Sequence, residues 1–175
     1  MFESLTTLAQ PWADFYANNA AAATAVLAVH MLAMFLGGGM AIGADRAILR
    51  AAPGSADAAR AVVADLSTTH SVVIGSLAVT MMSGVALFLS DIPTFSGSKV
   101  YWTKMGTVAV LLLNGWRMRR AEDAVLKPLA NLPLHTTEMP VVFPKQAWAS
   151  VRSAAGVSLV LWLTIVLLGV LLTNG

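Results

Sequence analysis

The sequence predicts an all-α integral membrane protein, a four-helix up-down bundle with a short N-terminal interfacial helix. Charged residues make up 11% of the 175 residues and hydrophobic residues 57%, whereas soluble domains carry about 25% charged residues. The chain also contains long stretches with little or no charge, and about 20 apolar residues are needed to cross a bilayer as a helix. The length suits one unit, so we treat residues 1–175 as a single transmembrane domain.

The individual elements follow from the apolar stretches and from the residues that interrupt them. Apolar residues at helical spacing between Phe2 and Phe15 predict the interfacial helix. The stretches with little or no charge predict membrane spans at residues 18–44, 66–90, 100–118 and 153–173. The segment DIPTFSGSK after the second span predicts a short turn. The third span should continue as a helix beyond the membrane and break at Pro128.

Basic residues predict the orientation of these spans. Arginines and lysines are concentrated in or beside the first and third loops: Arg46, Arg50, Arg60, Arg117, Arg119, Arg120, Lys127, Lys145 and Arg152. Because positive residues favour the cytoplasmic side, both long loops should be inside and both termini outside, on the periplasmic side of a bacterial inner membrane. The beginning of the chain has no basic residue, unlike a signal peptide, so we expect the first span to be retained as an anchor.

An outer candidate site is predicted near the periplasmic end of the spans. We take the acidic residues that end the first two spans to lie at the same depth in the membrane. Counting back from them along the antiparallel helices, at a rise of ~1.5 Å per residue, places the candidate residues at similar depth. They are His30, Met34, Met81, Met82 and Lys104. An ionisable side chain inside the bilayer is costly unless it is neutral, paired or bound to a metal. Imidazole and thioether groups bind haem iron and copper, and a lysine could pair with a propionate or carboxylate.

The ordinary alternative is that these side chains only pack. His30 would then be neutral and hydrogen-bonded between helices, the methionines would fill space, and Lys104 would extend its amine to the interface. An imidazole ring held by a hydroxyl or the backbone, with no cavity beside it, would remove the candidate site.

An inner candidate site is predicted around His70, which lies level with Met40 and near Asn114. His70 and Met81 are about three helical turns apart on one face, so the two sites would be stacked as electron transfer across a bilayer requires. A hydrated histidine near a cytoplasmic helix end is the alternative. The glycines Gly37–Gly39 would let a neighbouring helix, or a flat porphyrin, approach the first span closely.

Three segments resemble bacterial four-span families, namely the HemJ-type protoporphyrinogen oxidases and the CopD-type copper-resistance membrane domain. VHMLAMFLGGGMAIGADR resembles their first span, VYWTKMGTVAVLLLNGWRMRR their third, and VRSAAGVSLVLWLTIVLLGVLL their last. HemJ-type enzymes carry b-type haem, with the histidine of the first span implicated and a characteristic lysine in the third. The resemblance therefore implies a haem ligand at His30 and a functional lysine at Lys104.

Together, the residues and the resemblance predict a membrane-embedded b-type haem or metal protein. It would transfer electrons or oxidise a lipophilic substrate such as a quinol or a porphyrin-like molecule. One alternative is CopD-like copper binding or transport, and another is a non-catalytic subunit whose polar residues only organise packing. The lipid bilayer is the expected surrounding, and a homo-oligomer or a larger membrane complex is compatible with it.

Several classes of chemistry find no support in the sequence. The absence of cysteine excludes disulfides, thiolate metal sites and iron–sulfur clusters. There is no phosphate-binding glycine motif, HExxH or GxSxG, and we expect no nucleic-acid partner.

Overall fold

The structure, a computed structural model, describes residues 2–51, 56–130 and 145–173, with side chains at 3–51, 69–125 and 145–172. These residues form six α-helices and contain no strand. The helices are α1 Phe2–Asn18, α2 Ala20–Arg50, α3 Ala56–Ser90, α4 Ile92–Gly97, α5 Lys99–Ala130 and α6 Lys145–Thr173. The prediction of an all-α protein is confirmed.

Three helical segments among the described residues are long and apolar enough to cross a membrane. They are Ala20–Arg50, Thr69–Ser90 and Lys145–Leu172. The remaining predicted span, 100–118, lies within α5 but does not meet the same test of length and composition. Lys104, Asn114 and Arg117 lower its hydropathy. A membrane protein is therefore indicated by three apolar helices, and α5 is the most polar of the four long ones.

The long helices pack side by side, and two glycines fix the closest approach. α2 packs against α3 on one side and α6 on the other, α6 also packs against α5, and α3 touches α5 at few points. A Cβ on Gly37 would lie 2.8 Å from the Cβ of Ser76 on α3, and one on Gly38 would lie 3.1 Å from the Trp162 ring on α6. These glycines therefore serve helix packing on both sides of α2.

The predicted cytoplasmic end of the helices has its own core and a capped helix terminus. The Arg152 guanidinium of α6 donates to the carbonyls of Ile48 and Ala51, at 3.3 and 3.0 Å. A basic side chain on these last carbonyls stabilises the end of α2, where intrahelical partners run out. The largest fully buried side chains in this core are Ile48, Val125 and Val151.

At the opposite end α1 is attached to α3. The Trp12 indole of α1 donates from Nε1 to the Ala86 carbonyl at 2.8 Å, and α1 also contacts α2 and α4. The helix that the sequence predicts as interfacial is thus packed onto the ends of the long helices.

Two sequence-based boundaries were wrong. The segment predicted as a turn contains the helix α4, because the Asp91 carboxylate accepts from the Thr94 amide at 3.2 Å as an N-cap. α5 does not break at Pro128 but ends at Ala130. A proline removes only its own amide hydrogen bond, and the described part of α5 continues through Pro128 to Ala130.

Candidate functional site

A pocket enclosed by α2, α3, α5 and α6 brings together every outer candidate except Met82. Its empty volume is about 910 Å³, including space open to the surroundings, and His30, Met34, Met81 and Lys104 line it. Met82 is 75% exposed and does not line the pocket, because it lies on the outward face of α3. The other walls are largely apolar and include Leu77, Val85, Phe88, Tyr101, Trp162 and Ile165.

The His30 ring is held by a serine that sets its tautomer. Its Nδ1 lies 3.0 Å from the Ser83 hydroxyl, and that hydroxyl donates to the Val79 carbonyl of its own helix at 2.7 Å. Because a hydroxyl has a single proton, we infer that Ser83 accepts from the ring and that Nδ1 carries the ring proton. The lone pair of the neutral imidazole is then on Nε2, which is the atom available to a ligand.

A glycine lets α3 approach the same ring. A Cβ on Gly84 would lie 3.4 Å from the His30 Cε1 atom. Hydrogen bonding to a hydroxyl agrees with the packing interpretation of His30. That interpretation also required that no cavity lie beside the ring, and His30 lines the outer pocket.

Lys104 places a cation in this apolar pocket. Its side chain is partly buried, and its Nζ would lie 3.6 Å from a Cβ on Gly169 of α6. No carboxylate forms a salt bridge with Lys104 among the residues whose side chains are described. Asp91, the acidic residue that follows the second uncharged stretch, caps α4. A cation in apolar surroundings favours an anionic group within reach, so the pocket suits a ligand that carries one.

A second pocket lies beneath the first and contains His70. Its empty volume is about 980 Å³, open space included, and it shares Leu77, Leu111 and Trp162 with the outer pocket. Met40 does not line this inner pocket. Asn114 does not either, because its amide donates to the Ala154 carbonyl at 2.9 Å and ties α5 to α6. The pockets of His30 and His70 therefore adjoin along the helices, but Met40 and Asn114, the expected neighbours of His70, do not line the inner one.

Two acidic residues near His70 were not expected as site residues. The Glu122 Oε2 atom lies 3.8 Å from His70 Nδ1. Burial raises the pKa of Glu122 to about 7, although the charge of Arg119 acts in the opposite direction. Asp45 is 2% exposed, lines the inner pocket and is hydrogen-bonded by Ser158. Its Oδ2 atom and the Oε1 atom of Glu122 have no hydrogen-bond partner among the described residues.

The donor atoms in the two pockets restrict what each could hold. Among the described residues, no group of three or more histidine, cysteine, aspartate or glutamate side chains could bind a metal ion. The outer pocket instead offers one imidazole, three thioethers (Met34, Met81 and Met105) and an ammonium in a wall of aromatic and aliphatic groups. Imidazole and thioether are axial ligands of haem iron and soft ligands of copper.

Sequence reasoning missed several residues of these pockets. Ser83 and Gly84 lie within one turn of the level predicted for His30, so a search for hydroxyl and small residues one turn away would have found them. Asp45 was used only to mark the end of a span, and Glu122 lies beyond the span in which partners for His70 were sought. Trp162 carries no local signal, since tryptophans in apolar helices are common.

Comparisons with protein-family models, curated proteins and solved structures gave no significant match.

Proposed function

We propose that this chain is a four-span protein of a bacterial inner membrane that holds b-type haem in the outer pocket. It would transfer electrons or oxidise a lipophilic substrate. The observation that carries the proposal is the 3.0 Å hydrogen bond between His30 Nδ1 and Ser83, in a histidine that lines the pocket. With Nδ1 as the donor, the lone pair of the ring is on Nε2.

The four-span arrangement is supported by the packing of α5. Its N-terminal part runs against α6, and α6 is one of the three apolar helices. In our proposal Lys104 faces the outer pocket rather than lipid, and this lowers the free-energy cost of placing α5 in the membrane. The basic residues of the first and third loops then place both termini outside.

The residues of the outer pocket fit a haem group. An imidazole held by a second hydrogen-bonding group is the usual arrangement of a metal-binding histidine. The aromatic wall of Phe88, Tyr101 and Trp162 suits a flat ring system. Bound haem would supply one-electron chemistry.

Other pocket residues would have separate tasks. Lys104 would neutralise a propionate of the haem or a carboxylate of the substrate, because no described carboxylate forms a salt bridge with it. Where haem has a second protein ligand besides His30, the thioether of Met34 or Met81 would supply it, since both line the pocket with His30. The apolar walls would keep water away from the site.

A haem titration of purified protein in lipid nanodiscs tests the proposal. The wild-type protein should show a saturable Soret band, and His30→Ala should weaken haem binding by at least about 100-fold, since it removes the ligand itself. Met82→Leu is the matched control, because Met82 is 75% exposed outside the pocket. Equal haem binding by wild-type and His30→Ala would refute the proposal and favour a subunit whose polar residues only pack.

Copper is the second candidate because three thioethers in the outer pocket, those of Met34, Met81 and Met105, accompany an imidazole. His30, Met34 and Met81 are the soft and borderline ligands that Cu(I) accepts. Metal analysis of the same preparations separates the two candidates. Stoichiometric copper, lost in both Met34→Leu and His30→Ala, together with no Soret band after haem addition, would favour copper binding.

A further inference from the structure

The inner pocket opens sideways between α3 and α5. Ile74, Leu112 and Trp116 line it and are also 47%, 46% and 57% exposed. A residue that is both lining and exposed stands at the mouth of a pocket. α3 and α5 touch at few points, so this mouth faces the surroundings of the helices. A molecule dissolved in the membrane could enter there without passing through water.

Inside the inner pocket lies a buried carboxyl group, one oxygen of which has no hydrogen-bond partner among the described residues. Asp45 is 2% exposed and lines the pocket, and its Oδ2 atom has no partner among the described residues. The Ser158 hydroxyl supplies one hydrogen bond to the same carboxyl group. A buried polar atom without a partner is costly, so Oδ2 favours a ligand that brings a hydrogen-bond donor.

The surrounding residues restrict the chemistry of that donor. Arg119 and His70 also line the inner pocket, and a cationic head group would be repelled by the guanidinium. The remaining walls are mainly apolar and contain the indole rings of Trp116 and Trp162. Indole rings pack well against another flat ring. The combination favours a neutral aromatic molecule whose hydroxyl group donates a hydrogen bond.

We infer that the inner pocket binds a membrane-dissolved aromatic alcohol, which enters between α3 and α5 and donates its phenolic hydroxyl to Asp45. The inference does not depend on haem in the outer pocket. Membrane quinols and foreign phenols share this chemistry, since both carry a hydroxyl on an aromatic ring attached to an apolar body.

Matched probes in detergent micelles test the inference. Para-heptylphenol and heptylbenzene differ in the hydroxyl, and the dissociation constant of each follows from the rise in unfolding temperature with probe concentration. The wild-type protein should bind the phenol about tenfold more tightly, as expected for one hydrogen bond to a charged group. Asp45→Leu should abolish this difference. Equal affinity of wild-type protein for the two probes would overturn the inference.

A substitution that narrows the opening of the inner pocket tests the inference without changing Asp45. Leu112→Trp should weaken phenol binding by at least about tenfold, because the larger side chain fills the opening. Leu113→Trp is the control, since Leu113 is 66% exposed and does not line the inner pocket. If both variants bind the phenol equally well, the proposed entrance is wrong.

Decylhydroquinone distinguishes the two sources of the ligand. Its second hydroxyl can reach a further polar group such as His70. Binding about tenfold tighter than that of para-heptylphenol would identify membrane quinols, whereas equal binding would identify phenols in general. Either result supports the site, and no binding of either compound overturns it.

Discussion

Replacing Gly37 with alanine should destabilise the contact between α2 and α3. The added Cβ would lie 2.8 Å from the Cβ of Ser76, a distance that requires one of the two helices to move. A Cβ is fixed to its backbone, so no side-chain rotation relieves the contact. Overpacking costs about 1–3 kcal/mol, and exchanging glycine for alanine in a helix returns up to about 1 kcal/mol. We expect a net loss of about 1–2 kcal/mol in the free energy of unfolding.

Two further variants make this prediction specific. Gly39→Ala is the control in the same helix, because a Cβ there meets nothing within 4 Å, and its stability should be equal or slightly higher. Ser76→Gly combined with Gly37→Ala should recover most of the loss, since it removes the opposing Cβ. Unfolding by detergent titration, followed by circular dichroism, measures all three. If Gly37→Ala is as stable as Gly39→Ala, the packing of α2 on α3 is wrong.

Three further predictions concern the two pockets and the helices around them. Ser83→Ala should weaken haem binding by about 10–100-fold, because it removes the group that orients His30; Ser90→Ala, whose hydroxyl donates to its own helix, is the control. Glu122 has its pKa raised from 4.5 to about 7, so the folded state holds a proton that the unfolded state releases. Stability should therefore fall as pH rises from 4.5 to about 7, and Glu122→Gln should remove that part of the pH dependence in thermal unfolding. Asn114→Leu should cost about 0.5–1.5 kcal/mol of unfolding free energy, because it removes the amide hydrogen bond to the Ala154 carbonyl that joins α5 to α6.

Each of these predictions has a result that contradicts it. Unchanged haem affinity in Ser83→Ala would mean that the serine does not orient the ligand. Equal pH dependence of stability in the wild-type protein and in Glu122→Gln would contradict the prediction for Glu122. An Asn114→Leu variant with unchanged stability would show that the amide is not needed between α5 and α6.

Depth along the helices could be predicted from the sequence. The rise per residue is nearly constant, so two level reference residues place His30 and Lys104 at similar depth, and both line the outer pocket. His70 lies deeper for the same reason and lines the inner pocket. The uncharged stretches also predicted where the long helices lie.

Rotation of the helices about their axes could not be predicted in the same way. Met81 and Met82 are equally deep, yet Met81 lines the outer pocket and Met82 is 75% exposed. In a helix that is apolar all round, periodicity does not identify the inward face. Asn114 failed as a neighbour of His70 for this reason, since its amide is turned towards α6.

Interactions beyond the ends of the apolar stretches were also missed. From the sequence, Asp45 and Glu122 look like ordinary charged residues at the ends of spans. The sequence does not predict that α6 packs over Asp45 and α3 over Glu122. Asp45 is 2% exposed and Glu122 6%, which only the packing of the long helices brings about. Burial of a charged residue at a span boundary therefore has to come from the structure.

The protonation state of the two His30 ring nitrogens tests most directly whether Nε2 of His30 is the ligand atom. Nitrogen-15 NMR of histidine-labelled protein at mildly alkaline pH, with His30→Ala to assign the signal, should show Nδ1 protonated and Nε2 unprotonated. Zinc protoporphyrin, a diamagnetic haem analogue, should shift the Nε2 signal of His30 and leave that of His70 in place. A proton on Nε2 of His30, or a Nε2 signal unmoved by the porphyrin, would contradict the assignment of His30 as the ligand.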